Sequence, residues 1–440
     1  MDCKLEFAIE NFFAELDPVP RCWVAYSGGM DSHVLLRLLA SLRNQLSIDL
    51  HALHINHGLS PHASDWALHC ETVCRALQID YHQKNINAVA PAGHSPEAYA
   101  RELRYAAFAE MLAPGDFIFC AQHQDDQAET VLLQMIRGAG LKGLAAMPVH
   151  KSLGSGWQVR PLLEFTRADL AAYAVRYELQ WVEDESNLNK SFSRNYLRHA
   201  VLPVLKNRWP SVSATLSRTA AHCMEAQTIL EEVALIDRAL CAGTRAETLS
   251  AVKLKILSDA RQSQVLRLWL REQNIRVPGT VNLQQIQRDL LHSRQDKTPH
   301  VAWHTHEVRR YRDDIYCMPR LSSHNNAVIL YWDAKKPLVI PSVGILKTFP
   351  ACGAGLKKNL TGLTIRFRQG GEVCRLPKRD FTHSLKKLLW EWNIPPWERD
   401  RLPLLFVEDE LAAVPGYFVS PEFAAGEQEE GHALAFETIR

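Results

Sequence analysis

The most constraining stretch of this 440-residue chain is AYSGGMDS, Ala25 to Ser32, between an apolar run at 22–26 (CWVAY) and an apolar helical pattern that begins at Asp31. A buried strand that passes through two glycines straight into a helix brings that helix's N-terminus to the strand's carboxyl end. The free N–H groups there carry about half a positive charge, Gly28 and Gly29 allow close backbone approach, and Ser27 and Ser32 add hydroxyls. Ser27, Gly28, Gly29, Met30, Asp31 and Ser32 are therefore a candidate phosphate cradle, with Asp31 placed to hold Mg2+. The loop is not the GxxxxGK[ST] of ordinary ATPases, because it has no lysine for terminal phosphates. A plain strand-to-helix turn is the competing reading, and the apolar flanks argue against it.

The same alternation continues downstream. HALHIN (51–56) precedes a helix after Pro61, YHQKNI (81–86) a helix from Ser95 to Met111, and FIFCA (117–121) a helix from about Gln124 to Arg137. Short apolar runs alternating with longer amphipathic ones predict an α/β fold on a doubly wound parallel sheet, with active residues at the carboxyl ends of strands. A Gly/Ser turn at 153–156, a helix from Thr166, and Leu197, Val201, Val204 and Leu205 at helical spacing complete a first domain over 1–210. A mainly helical second domain is expected over 211–345, from a long helical pattern at 211–240, helices near 252–273 and 283–292, and strands from His300 to Trp332. After Pro337 and Pro341, a small α+β C-terminal domain of short strands and one helix is expected over 346–440.

Composition narrows the setting. The opening segment shows no basic flank with an apolar core and cleavage site, and no apolar stretch is long enough to span a bilayer, so a cytoplasmic protein without a membrane partner is expected. Ten cysteines lie scattered without a CxxC pair, which fits reduced, buried thiols better than a disulfide framework or a zinc site. A formal net charge of +1 excludes coating of nucleic acid by bulk charge but leaves room for a local phosphate-binding patch.

The second constellation is AQHQDDQAET, Ala121 to Thr130, where the fourth strand meets its helix. Asp125, Asp126 and Glu129 are expected on one first-turn face beside His123. Acidic first turns are also common helix N-termini. His54, Asn56 and His57 follow the second strand; a metal reading of HINH finds no further ligand cluster nearby. Arg194, Asn195 and Arg198 fall within a turn and a half of one helix, as either a solvated cationic face or a phosphate contact. At 370–419, Leu385, Leu388, Leu389 and Trp392 form an apolar stripe that leaves Lys386 and Lys387 outward beside Arg375, Lys378 and Arg379.

SGGxDS in this setting resembles the pyrophosphate loop (PP-loop) of the N-type ATP pyrophosphatase superfamily, which cleaves ATP between the α and β phosphates. AYSGGMDS, HINHGL, SPEAYARELRY, AQHQDDQAET with RGAGLKGLAAMP, VRPLL and EDESN followed by RNYLR narrow the resemblance to the tRNA(Ile)-lysidine synthetases, in order over nearly all of the first 210 residues. Two departures stand out: Gln122 occupies a position that is often a second histidine, and Asn189 interrupts SNxD.

The resemblance implies an ATP-dependent ligase that adenylates the wobble cytidine of isoleucine tRNA with a CAU anticodon and joins L-lysine to the same carbon. It implies ATP and Mg2+ as cofactors, and ATP bound by Ser27 to Ser32 with His54 and Asn56. Asp31, Arg101 and His123 would be catalytic, with Arg101 offsetting phosphate charge, and Asp125, Asp126 and Glu129 would seat the ammonium groups of lysine. Arg194, Asn195 and Arg198, with Arg375, Lys378, Arg379, Lys386 and Lys387 of a C-terminal domain that grips the acceptor stem, would contact tRNA. A homodimer is compatible with this reading. The rivals are a tRNA thiolase or amide ligase of the same superfamily, which lacks its expected CxxC or nucleophilic cysteine domain here, and a non-catalytic tRNA-binding protein that keeps ATP as a structural ligand.

Overall fold

The computed structural model describes residues 2–14, 21–58, 60–91, 93, 96–293, 298–377 and 381–438. Its contacts divide the chain into two compact units, 1–230 and 231–440.

The first unit carries the expected parallel sheet. Strands β1 (Arg21–Ala25), β2 (Asp49–Asn56), β3 (Asp80–Asn85) and β4 (Phe117–Phe119) alternate with helices α2 (Met30–Leu42), α3 (Ala63–Ala76), α4 (Pro96–Met111) and α5 (Gln124–Ile136), after an N-terminal helix α1 (Asp2–Ala14). A short helix α6 (Leu141–Leu144) leads to the hairpin β5 (His150–Leu153) and β6 (Gly156–Val159), and then to α7 (Arg167–Arg176). The sheet order is β3-β2-β1-β4-β6-β5. Every neighbouring pair is parallel except β5–β6, the hairpin that the Gly/Ser turn at 153–156 connects.

That order has a physical consequence. The chain winds from β1 outward to β3, then returns through α4 to place β4 on the other side of β1, so the carboxyl ends of β1 and β4 flank a switch point. The strands alternate faces to suit: Cys22, Val24 and Phe119 pack with Leu35 and Leu39 of α2, while Trp23, Leu53 and Ile118 pack with Phe108 and Leu112 of α4.

Beyond α7 the chain forms α8 (Ser193–Tyr196), a π turn at Leu197–Val201, α9 (Leu202–Arg208) and the long α10 (Val212–Leu240). The continuous helix suggested by Leu197 to Leu205 is thus widened in the middle.

In the second unit, helices Ala251–Ile256, Asp259–Glu272 and Thr280–Ile286 pack with a four-stranded antiparallel sheet over 249–319, around Trp269, Leu270, Ile286 and Ile315. The rest is mostly strand: a five-stranded sheet from 330 to 419, a four-stranded one built on the long pair Gly344–Cys352 and Glu430–Thr438, and a hairpin at 373–384. Leu385–Glu391 is the expected helix; its Leu385, Leu388 and Leu389 are buried, and Lys386 and Lys387 are exposed. Among the described residues no helix is long and apolar enough to cross a membrane.

Candidate active site

The cradle forms as a tight loop. Gly28 adopts φ +83°, and a Cβ there would lie 2.9 Å from both Cys70 Sγ and Val182 Cγ2. Only glycine fits, because the loop is wedged between α3 and the 182 segment, whose Val182 N–H donates to the Gly28 carbonyl at 3.0 Å. Gly29 is the N-cap of α2 and has no side-chain cap, so the first-turn N–H groups face the loop unclaimed by one. The Ser32 hydroxyl donates to the Gly29 carbonyl (2.9 Å) and lies 3.1 Å from Ser27 Oγ. His54 stands beside this loop: its buried Nδ1 is 3.0 Å from the Tyr26 carbonyl, and burial holds its pKa below the usual value. Asn56 turns back on its own chain, accepting from the Gly58 N–H at 2.9 Å.

Across the switch point, the start of α5 meets the start of α2. His123, 1% exposed, places Nε2 3.6 Å from Asp31 Oδ2 and 3.5 Å from Asp126 Oδ2. Burial, the strongest single influence on this imidazole, disfavours its charge, but Asp31, Asp126 and Asp125 outweigh it and raise its pKa. The other oxygen of Asp31, Oδ1, is buried without a hydrogen-bond partner.

The three carboxylates of α5 do not share one face. Asp126 Oδ1 accepts from Nη2 of Arg194 (3.1 Å) and of Arg198 (2.8 Å), and Glu129 accepts from Nε of Arg194 (2.7 Å) and Nε of Arg198 (2.6 Å). Asp125 points elsewhere: Oδ1 accepts from Lys206 Nζ (2.5 Å) and Ser213 Oγ (2.7 Å), and Oδ2 from the Arg167 N–H at the start of α7 (3.2 Å). The expectation of a common face fails because successive helical residues are about 100° apart, so Asp125 and Asp126 diverge, while Arg194 and Arg198 hold Glu129 together with Asp126. Burial favours the neutral form of both aspartates. It is outweighed by His123, Arg194 and Arg198 at Asp126, and by Lys206, Ser213 and Arg167 at Asp125, so both carboxyls lie below the usual range.

Arg194 and Arg198, expected at phosphates, thus have their guanidinium groups on the acidic cluster. Arg198 lies in the π turn, a widening often found at functional sites. Asn195 Nδ2 donates to the Asn189 carbonyl (3.0 Å), and Asn189 Oδ1 accepts from the Ser191 N–H, so Asn189 shapes the turn that presents these residues. Gln122 accepts from the buried Arg160 (3.1 Å). Arg101 lies over the Tyr105 ring, 5.0 Å from its centroid. A cavity of about 710 Å3 opens beside α5 and is lined by His123, Asp125, Glu129, Arg198, Lys206 and Ser213 among others.

Sequence reasoning missed Lys206 and Ser213 as partners of Asp125, and Arg104, one helical turn beyond Arg101, which donates to His57. The motifs HINHGL and ARELRY each hold one member of the last pair, but nothing in a single sequence joins positions 47 residues apart. In the second unit, Arg375 pairs with Glu422 at 3.0 Å; Lys378 and Arg379 lie outside the described residues.

Among the described residues no group of three or more potential ligands is arranged to hold a metal. Mg2+ is usually held by one or two carboxylates together with substrate phosphates rather than by a protein cage. The orphaned Oδ1 of Asp31 beside the cradle fits such an ion.

Family models match three stretches of the chain: PP-loop domain over 1–205, TilS substrate binding domain over 249–316, and TilS substrate C-terminal domain over 363–436. The tRNA(Ile)-lysidine synthase of Coxiella burnetii is 44% identical over 93% of this chain and 91% of its own length. Those of Methylococcus capsulatus (38% identical; 96% of this chain and 97% of the relative) and Legionella pneumophila (39%; 94% and 95%) align as extensively. Similarity at this level, over more than nine-tenths of this chain and of each relative, has one consequence: this chain belongs to the tRNA(Ile)-lysidine synthase family.

Proposed function

We propose that the chain ligates free L-lysine to C2 of the wobble cytidine in the CAU anticodon of tRNA(Ile), with ATP cleaved to AMP and pyrophosphate through a C2-O-adenylate. The observation that carries this is the glycine-lined cradle at the switch point with Asp31, His123 and Asp126 at its edge, in a chain similar to tRNA(Ile)-lysidine synthases along almost its whole length.

The cradle's backbone N–H groups and serines hold the phosphates, and Gly28 and Gly29 keep side chains out of their way. Asp31 would hold Mg2+, which when bound neutralises phosphate charge and favours departure of pyrophosphate. His123, whose charged form is favoured by Asp31, Asp126 and Asp125, would in that form place positive charge beside the reacting phosphate. The wobble base comes from a single-stranded loop and enters without breaking a duplex. Its O2 attacks the α phosphorus, and the resulting AMP ester makes that oxygen a good leaving group when the lysine ε-amine adds to C2.

For the lysine site we propose the cavity beside α5. Asp125 and Glu129 line it, and Lys206 Nζ already rests on Asp125 at 2.5 Å, so the carboxylate and Ser213 form a seat matched to an ammonium group. Arg194 and Arg198 are proposed to pass between Asp126 and Glu129 and the substrate phosphates. Lys386 and Lys387, with Arg375, Lys378 and Arg379, are proposed to contact the tRNA backbone without reading bases.

The test is incubation of the protein with tRNA(Ile) bearing CAU, ATP and labelled lysine. Lysine label in the tRNA, with AMP and pyrophosphate released in equal amounts, supports the proposal. Sulfur transfer, absence of turnover, or release of ADP and orthophosphate would each sink it.

A further inference from the structure

Two donors of Arg104 converge on one atom: Nε lies 3.1 Å and Nη2 3.0 Å from Nε2 of His57. A nitrogen that receives N–H groups must offer a lone pair, so the ring is neutral and its proton is on Nδ1. That Nδ1 is buried and has no hydrogen-bond partner among the described residues. His57 directly follows β2, whose carboxyl end adjoins that of β1, and it lies within the electrostatic reach of His54 and Asp184. Asp184 is two residues past Val182, the residue bonded to the cradle at Gly28. The ring therefore stands on the cradle side of the sheet with a donor that no group among the described residues meets, and a buried donor is costly to leave unpaired.

We infer that Arg104 is a positioning residue that fixes His57 in the Nδ1–H form, so that His57 presents a neutral hydrogen-bond donor to an acceptor on ATP held at the cradle. The inference rests on the ATP-cleaving reading above. Neutrality matters here because Arg104 is already opposed by the charges of Arg101 and Arg194. A cationic imidazole would add repulsion, whereas a neutral N–H adds direction alone. Burial first, and Arg104 second, push the His57 pKa down to about 4, so this form persists across the working range of pH.

The experiment joins 15N NMR of the histidine-labelled full chain to steady-state kinetics of pyrophosphate release. At neutral pH the wild type is expected to show one imidazole wholly protonated at Nδ1, a signal absent from His57→Asn. In Arg104→Ala that ring should become a tautomer mixture whose titration midpoint lies above that of wild type, while burial still holds it below the ordinary value; Arg104→Lys should keep the Nδ1–H form. His57→Asn places an amide N–H close to where Nδ1–H lies. His57→Gln offers Arg104 an acceptor but no donor at that place. The KM for ATP should rise about fivefold more in His57→Gln than in His57→Asn, the scale of one hydrogen bond, with tRNA affinity unmoved.

A wild-type ring protonated at Nε2 or charged at neutral pH would overturn the inference, as would equal KM values in the two His57 variants. If His57→Gln does not fold, the Arg104→Ala and Arg104→Lys pair makes the same comparison, and equal behaviour there overturns it too. Failure of the wild type to release pyrophosphate would instead strike the proposed function, while the NMR result would still report the tautomer.

Discussion

Arg198 holds Glu129 by a two-point grip, with Nε on Oε1 at 2.6 Å and Nη2 on Oε2 at 3.0 Å, and Glu129 is 1% exposed. Arg194 Nε donates to the same carboxylate at 2.7 Å, sharing Oε2 with Arg198. Removing Glu129 leaves two partly buried guanidinium groups sharing Asp126 alone. Glu129→Ala is therefore expected to cost about 3 kcal/mol of stability, read as a lower urea midpoint. Arg198→Lys should lie between that variant and wild type, because an ammonium cannot reproduce the planar fork. An unchanged midpoint in Glu129→Ala would refute the pairing.

The two cradle glycines separate folding from function. Gly28→Ala combines φ +83° with a Cβ at 2.9 Å from both Cys70 and Val182, and should cost about 1–3 kcal/mol with a lower melting temperature. A Cβ on Gly29 meets only Ser27 Oγ at 3.6 Å and the Val182 carbonyl at 3.9 Å, ordinary contacts. Gly29→Ala should melt like wild type yet release pyrophosphate at least about tenfold more slowly, since its methyl stands where phosphate must approach the backbone. Equal activity in Gly29→Ala and wild type would remove the phosphate role of that loop.

The parallel sheet was legible because short apolar runs at 22–26, 51–56 and 117–121 alternate with longer amphipathic ones. The loop at 27–32 was legible because its function depends on local backbone geometry, which glycines announce. The reach of long side chains was not. Arg194 and Arg198 read as a phosphate or RNA contact, but they fold onto Asp126 and Glu129 some 65–72 residues away. The π turn at Leu197–Val201 that aims Arg198 leaves no mark in the apolar spacing. Asp125 and Asp126 look alike in sequence, and only the 100° step between them, with Lys206 and Ser213 waiting on one side, gives them different tasks.

The charge on His123 gives a pH prediction with a definite sign. Asp31, Asp126 and Asp125 together raise its pKa above the ordinary 6.5 despite its burial. The stabilisation that this cation contributes is then fully present below about pH 6.5 and is lost as pH rises through the raised folded-state value. Asp31→Asn removes one of the groups holding the proton. The His123 titration midpoint, followed by NMR, should fall in that variant, and its stability deficit relative to wild type should shrink at high pH. Asp31→Ala should also abolish pyrophosphate release while tRNA binding persists; retained release would exclude the metal role proposed for Asp31.

Lys386 and Lys387 test the tRNA contact apart from the chemistry. The helix that carries them buries Leu385, Leu388 and Leu389 and turns both lysines outward, where no ion pair claims them among the described residues. Neither supports the fold, so Lys386→Ala with Lys387→Ala should leave the melting temperature unchanged. If each neutralises one phosphate, the slope of log Kd for tRNA against log salt should fall by about 1 per lysine removed. Affinity should weaken alike for tRNA(Ile) and for a tRNA of other anticodon, since backbone contacts carry no base identity. A salt slope identical to wild type would show that this face does not meet the tRNA, and would leave Arg375, Lys378 and Arg379 to be tested in its place.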